Sequence, residues 1–247
     1  MSNRTAPNQE TEVVSEELIV PVVAVNPLFI GRVMSLVVFV LILASTVSMY
    51  LDSKLEGYSA RLFLLDKEGN IPTLYAGLSL FFCAILLAIE YWLAVKQISP
   101  QRFYWLGLSV IFSLFAVDEM CSIHEIFIAL RPVLGTSGFL YFAWVIPGAL
   151  FVVVVVGIYW KFVLSLPEKT RNLFLIAGAT YVSGVLGVEM IGAYCAQYGS
   201  EHLVYLAITT IEETLEMTGI IIFSYALLNH ISSQLDSLKF KLVFEES

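Results

Sequence analysis

PTLYAGLSLFFCAILLAIEYWLAV, residues 72–95, holds one charged side chain, Glu90, in 24 residues. As a helix rising 1.5 Å per residue it is roughly 36 Å long, enough to cross a hydrocarbon core of roughly 30 Å. Pro72 sits where a first helical turn tolerates a missing N–H, and Lys96 follows at the far end as an interface anchor. Five more apolar runs flank this one, at about 29–51, from Arg102 onward, and at about 138–160, 172–196 and 203–229. Backbone groups in lipid must bond within their own segment, so the runs are predicted as helices. The expected fold is an all-α integral membrane bundle of about six transmembrane helices. It occupies residues 29–230, between a flexible cytoplasmic tail (1–28) and a cytoplasmic C-terminal tail or short surface helix (231–247).

Composition agrees, since 58% hydrophobic and 14% charged residues, with a mean hydropathy of +0.83, lie far from soluble averages. The net charge of −8 comes largely from tail acids such as Glu10, Glu12, Glu16, Glu17, Glu245 and Glu246. No basic stripe interleaved with aromatics is present, so nucleic acid is set aside and the lipid bilayer is the expected partner. Cys83, Cys121 and Cys195 are an odd set without CxxC spacing and are expected as buried free thiols. The acidic, polar start lacks a basic n-region, so no cleavable signal peptide is expected.

Between the runs, Arg61–Leu65 is expected at the membrane interface before Asp66–Asn70 turns the chain. The third helix starts near Arg102 and is expected to continue past a bend at Asp118–Ser122 until Arg131-Pro132 stops it, with Pro147 kinking the fourth. With six spans, nine Lys and Arg (Arg4, Arg32, Lys96, Arg102, Lys161, Lys169, Arg171, Lys239, Lys241) share one face and four (Lys54, Arg61, Lys67, Arg131) the other. That bias predicts a multi-pass protein of the plasma (inner) membrane with both termini cytoplasmic.

Seven acids lie inside apolar helices: Glu90, Asp118, Glu119, Glu189, Glu212, Glu213 and Glu216. A charge at bilayer centre costs about 2.5–3.5 kcal/mol on insertion scales, so each needs a proton, a partner, water or a metal. Glu189 lies about eight residues before the outer end of its helix and Glu212 about nine after the outer start of the next, which puts both roughly 12–14 Å deep. Glu212, Glu213 and Glu216 share a helical face, and Ser183, Gly184, Gly187, Gly192 and Ala193 permit close approach of the helix carrying Glu189. No Lys or Arg lies in mid-span; only Arg131, Arg61 and His124 are near the outer rim.

The expected site is an outward-facing cavity with Asp118, Glu119, Glu189, Glu212, Glu213 and Glu216 as cation or proton ligands. His124 and Glu125 are the candidates for a divalent metal ion. A metal-dependent membrane hydrolase and a structural scaffold with protonated acids are the alternatives. Glu90, beside Tyr91 and Trp92, is expected to snorkel to headgroups, and His202 and His230 to be ordinary interface residues. There is no HExxH, GxSxG or P-loop, and Cys121 stands where a di-iron ExxH pattern needs Glu.

Asn70-Ile71-Pro72-Thr73, then Asp118-Glu119 with His124-Glu125, then Glu212-Glu213 with Glu216-Met217 and Gly219, resemble a group of bacterial multi-pass membrane proteins over about residues 29–230. The resemblance implies a bacterial membrane location and no particular reaction. Ceramidase-like membrane hydrolases offer a more distant analogy, but they hold zinc with several histidines.

Overall fold

The computed structural model describes residues 25–52, 60–199 and 202–235. The tail acids, Lys54, Arg4, Lys239 and Lys241 lie outside the described residues. Among the described residues there is no strand, and the helices are α1 (Pro27–Asp52), α2 (Ile71–Lys96), α3 (Arg102–Cys121), the short α4 (Arg131–Leu134), α5 (Val145–Ser165), α6 (Glu168–Val182), α7 (Glu189–Tyr198) and α8 (His202–Leu235). A π-helical stretch, Ser183–Val188, joins α6 and α7 into one 31-residue rod. Five helices are long and apolar enough to cross a membrane: α1, α2, α3, α5 and the α6–α7 rod. At 34 residues α8 has the length too, but Glu212, Glu213 and Glu216 interrupt its apolar character.

α8 packs against α1, α2, α6, the π stretch and α7, so it is the axis of the all-α membrane bundle. Its apolar side joins α2, α3 and α6 through Leu80, Leu87, Trp105, Phe174, Phe223 and Leu227. A smaller cluster, Val38, Leu41, Leu65 and Met217, seats α1 on α8. Large apolar side chains such as Phe39, Leu150, Val153 and Ile158 point outward. A water-soluble monomer rarely exposes apolar area so widely, whereas a lipid-facing surface requires it.

Close approach is bought with glycine at specific points. A Cβ on Gly219 would lie 2.8 Å from Tyr181 Cβ and 3.0 Å from the Ala177 carbonyl oxygen. A Cβ on Gly184 would lie 2.9 Å from the Glu212 carbonyl oxygen. Gly187 has nothing within 4 Å, so of the small residues expected to admit a neighbour it is not one that does.

Asn70 explains the N-I-P-T motif locally. Its side chain accepts from Thr73 N–H (3.1 Å) and donates to the Leu64 carbonyl (2.6 Å), capping α2 and tying down the preceding loop. Leu64 and Leu65 are therefore buried, and Leu65 N–H donates to Ser45 Oγ at 3.1 Å. The interfacial placement expected for this pair is corrected: the loop is drawn into the bundle by its own hydrogen bonds.

Other boundaries also shift. α3 does not bend at Asp118–Ser122 and continue; it ends at Cys121, with Ser122 left-handed (φ 51°, ψ 42°), and a 3-10 stretch His124–Leu130 follows. Arg131-Pro132 opens α4 rather than stopping a helix, since proline suits a first turn. The fourth span begins at Val145, so Pro147 lies in its first turn and kinks nothing. α8 reaches Leu235 with Ile231 buried, so the last helix runs past the expected end near residue 229. Of the cysteines only Cys83 is buried; Cys195 is half-buried and Cys121 exposed.

Candidate functional site

The end of the bundle where α2 and α8 begin and α3 and α7 finish gathers the acids. Glu189 opens α7 directly after the π stretch, whose wider turn resets the phase of the residues that follow. Glu212 is buried on α8 opposite it. The two carboxyls converge over Gly192, where an added Cβ would lie 3.9 Å from Glu189 Oε2 and 3.9 Å from Glu212 Oε2. Trp144, just before α5, donates its indole N–H to Glu189 Oε1 at 2.8 Å. Two carboxyl groups hydrogen-bond each other only with a proton between them, and like charges this close cannot both persist.

Around this pair lies a wider acidic field. Glu213 lies within electrostatic reach of Glu119, Glu68, Glu189 and Asp66, and Glu216 within reach of Glu213, Glu119 and Glu189. The half-buried Asp118 and Glu119 form its α3 wall. Asp118 clamps the chain after α3: Oδ1 accepts from His124 N–H (2.7 Å) and Oδ2 meets His124 Nδ1 (3.1 Å). Burial alone would lower the imidazole pKa. The hydrogen bond and charge of Asp118, with Glu68 and Glu119 behind them, outweigh it and hold His124 above its ordinary 6.5. The His124 ring also rests against Trp144, with centroids 5.1 Å apart. The rim clamp and the deep carboxyl pair are thus joined through one indole.

Glu125 is exposed, and His124 Nδ1 is already committed to Asp118. Among the described residues no three His, Cys, Asp or Glu side chains converge closely enough to hold a metal ion. Arg131 stacks over Tyr141 at 4.3 Å and enters no ion pair with the field among the described residues.

Two features were not legible in the sequence. Asp66 and Glu68 read as turn residues, yet the Asp66 side chain is 5% exposed, ion-paired to Lys67 at 2.9 Å, with its Oδ1 buried and unpartnered. Glu68 meets Ser122 and the charge of His124. The only signal was the Asn70 cap, which folds this loop back onto the bundle.

The second feature corrects the reading of Glu90 and His230. Glu90 does not snorkel to headgroups: it is 1% exposed, with Oε1 2.6 Å from His230 Nδ1 and Oε2 accepting from Gln234 at 2.7 Å. His230 is buried beneath Trp105, their ring centroids 5.4 Å apart. A buried carboxyl group on α2 meets the His230 imidazole on α8 because the two helices run side by side in the same direction.

No curated protein and no solved structure matches the chain significantly. A family model does match, over residues 33–231, and that range carries Asp66, Glu68, the Asp118–His124 clamp, the Glu189–Glu212 pair and the Glu90–His230 pair. The chain belongs to the family described as a domain of unknown function, DUF8692.

Proposed function

We propose that this membrane protein holds shared protons in an outward-facing carboxyl site centred on Glu189 and Glu212. The convergence of those two carboxyls over Gly192 carries the reading. Trp144 donates to Glu189, which suits Glu189 as the acceptor and leaves the shared proton on the Glu212 side. Asp118, Glu119, Glu213 and Glu216 are the further carboxyl groups that this reading places around the pair as additional proton or cation ligands. Protons are favoured over a divalent cation because, among the described residues, no three ligands converge.

The test is infrared spectroscopy of the protein in lipid. The wild type at neutral pH is expected to show a protonated-carboxyl carbonyl band that Glu212→Gln removes while helicity and thermal stability hold. A wild type without that band would sink the proposal. So would stoichiometric divalent metal in the purified protein that Glu212→Gln releases, which would establish the cation site instead.

The orientation is part of the same reading. Lys96, Arg102, Lys161, Lys169 and Arg171 flank the end of the bundle opposite the acids. The positive-inside bias then supports a multi-pass protein with both termini cytoplasmic, and the resemblance to bacterial multi-pass proteins supports the inner membrane. Reporter fusions after Lys96 and Glu168 are expected to read cytoplasm, and fusions near Lys67 and Gly135 the other side; the reverse pattern would turn the acidic site inward.

A further inference from the structure

The end of the bundle opposite the carboxyl pair holds a polar centre with a connection to its surface. Glu90 is 1% exposed and His230 9%, while Gln97, at the end of α2, is exposed. Between them stands Gln234, whose amide donates to Glu90 Oε2 at 2.7 Å and accepts from Gln97 Nε2 at 3.0 Å. Amide donors thus point inward in sequence from Gln97 to Gln234 to Glu90. The packed helices bring further charged side chains to this end: Arg32 on α1, Lys96 on α2, Arg102 on α3, Lys161 on α5, and Glu168, Lys169 and Arg171 on α6. None is bonded to Glu90 or His230; Lys169 instead donates to Asn229 at 3.0 Å. Among the described residues Glu90 is therefore the one acid bonded to the imidazole.

Charge balance decides what such a pair can do. A buried ionised group without compensation is costly, so the pair is stable only when it is neutral overall. Neutrality means one proton held between the carboxyl and the imidazole, whichever atom carries it. Removing that proton leaves a bare buried anion, and adding another leaves a bare cation. A separation of 2.6 Å between Oε1 and Nδ1 suits a charge-assisted hydrogen bond that shares the proton. Gln234 and Gln97 leave a polar opening from the pair toward the surface, where water can reach it, on a side that Trp105 does not cover.

We propose that Glu90 and His230 form a second proton-binding site, which exchanges one proton with the aqueous phase at the end opposite the acidic site, at the polar opening that Gln97 and Gln234 hold. It does not rest on the function proposed for Glu189 and Glu212. The two sites share α8, on which Glu212 and His230 are eighteen residues apart, or roughly 27 Å at 1.5 Å per residue. The helix at the bundle axis would then carry a proton site at each end.

The experiment uses the full chain in lipid bilayers with 15N-labelled histidine, read by solid-state NMR at neutral pH, beside infrared spectra of the same samples. The signal that His230→Gln deletes identifies His230. The shared proton is expected either as a doubly protonated His230 or as a carboxyl band that Glu90→Gln deletes. Glu90→Gln is expected to change the protonation state of His230, and Glu212→Gln to leave it untouched. If Glu90→Gln does not fold, Gln234→Leu serves instead: exchange of the His230 ring proton with water is expected to slow. A neutral His230 together with an ionised Glu90 in the wild type would overturn the proposal. So would a His230 signal indifferent to Glu90→Gln, or ring-proton exchange unaffected by Gln234→Leu.

Discussion

Replacing His230 with leucine is expected to lower the stability of the bundle by about 3–5 kcal/mol, the usual cost of removing one partner from a buried ion pair. Glu90 would be left 1% exposed with the Gln234 amide as its hydrogen-bond donor. Removing both groups should be far milder, because Glu90→Leu with His230→Leu leaves an apolar seam and no orphaned charge. Continuum reasoning makes such a double replacement neutral or even stabilising. The measurement is unfolding in detergent followed by tryptophan fluorescence, for which Trp105, stacked over His230, is a built-in reporter. A single variant as stable as wild type would show that the pair carries no coupling, and a double variant worse than the single would show that leucine cannot fill the seam.

Gly219→Ala is expected to cost about 1–3 kcal/mol, the range for forcing extra volume into a packed site. The new methyl would lie 2.8 Å from Tyr181 Cβ, 2.9 Å from Tyr181 N and 3.0 Å from the Ala177 carbonyl oxygen. Two of those three are backbone atoms, which no rotamer change moves, so α6 and α8 must separate along their contact. Because Glu189 follows on the same rod and Glu212 lies two turns before Gly219 on α8, the separation should also loosen the carboxyl pair. Gly187→Ala is the control: its Cβ meets nothing within 4 Å, and alanine is the better helix former by about 1 kcal/mol. Equal stability of the two variants would refute the close-crossing argument.

The amino-acid sequence by itself determined the solvent, the element type and the ends of α1 and α2. Long apolar runs can satisfy their backbone groups in lipid only as helices, and this holds whatever the helices pack against. It also marked Glu189 and Glu212 as comparable in depth, because rise per residue is constant, and the Gly184 region as a place of close approach. Periodicity could not reveal the break at Ser122, where a single left-handed residue ends α3 although apolar residues continue beyond it. Nor could it separate Gly184 and Gly219, which face a neighbour, from Gly187, which faces open space. The tertiary structure alone decided which acids have partners. Glu90 and His230 are 140 residues apart in the chain, and nothing local distinguishes such a pair from two unrelated interface residues. Asp66 and Glu68 read as turn residues until the Asn70 cap folded their loop onto the bundle. Burial and pairing are properties of the space between helices, and that space is set by which faces meet.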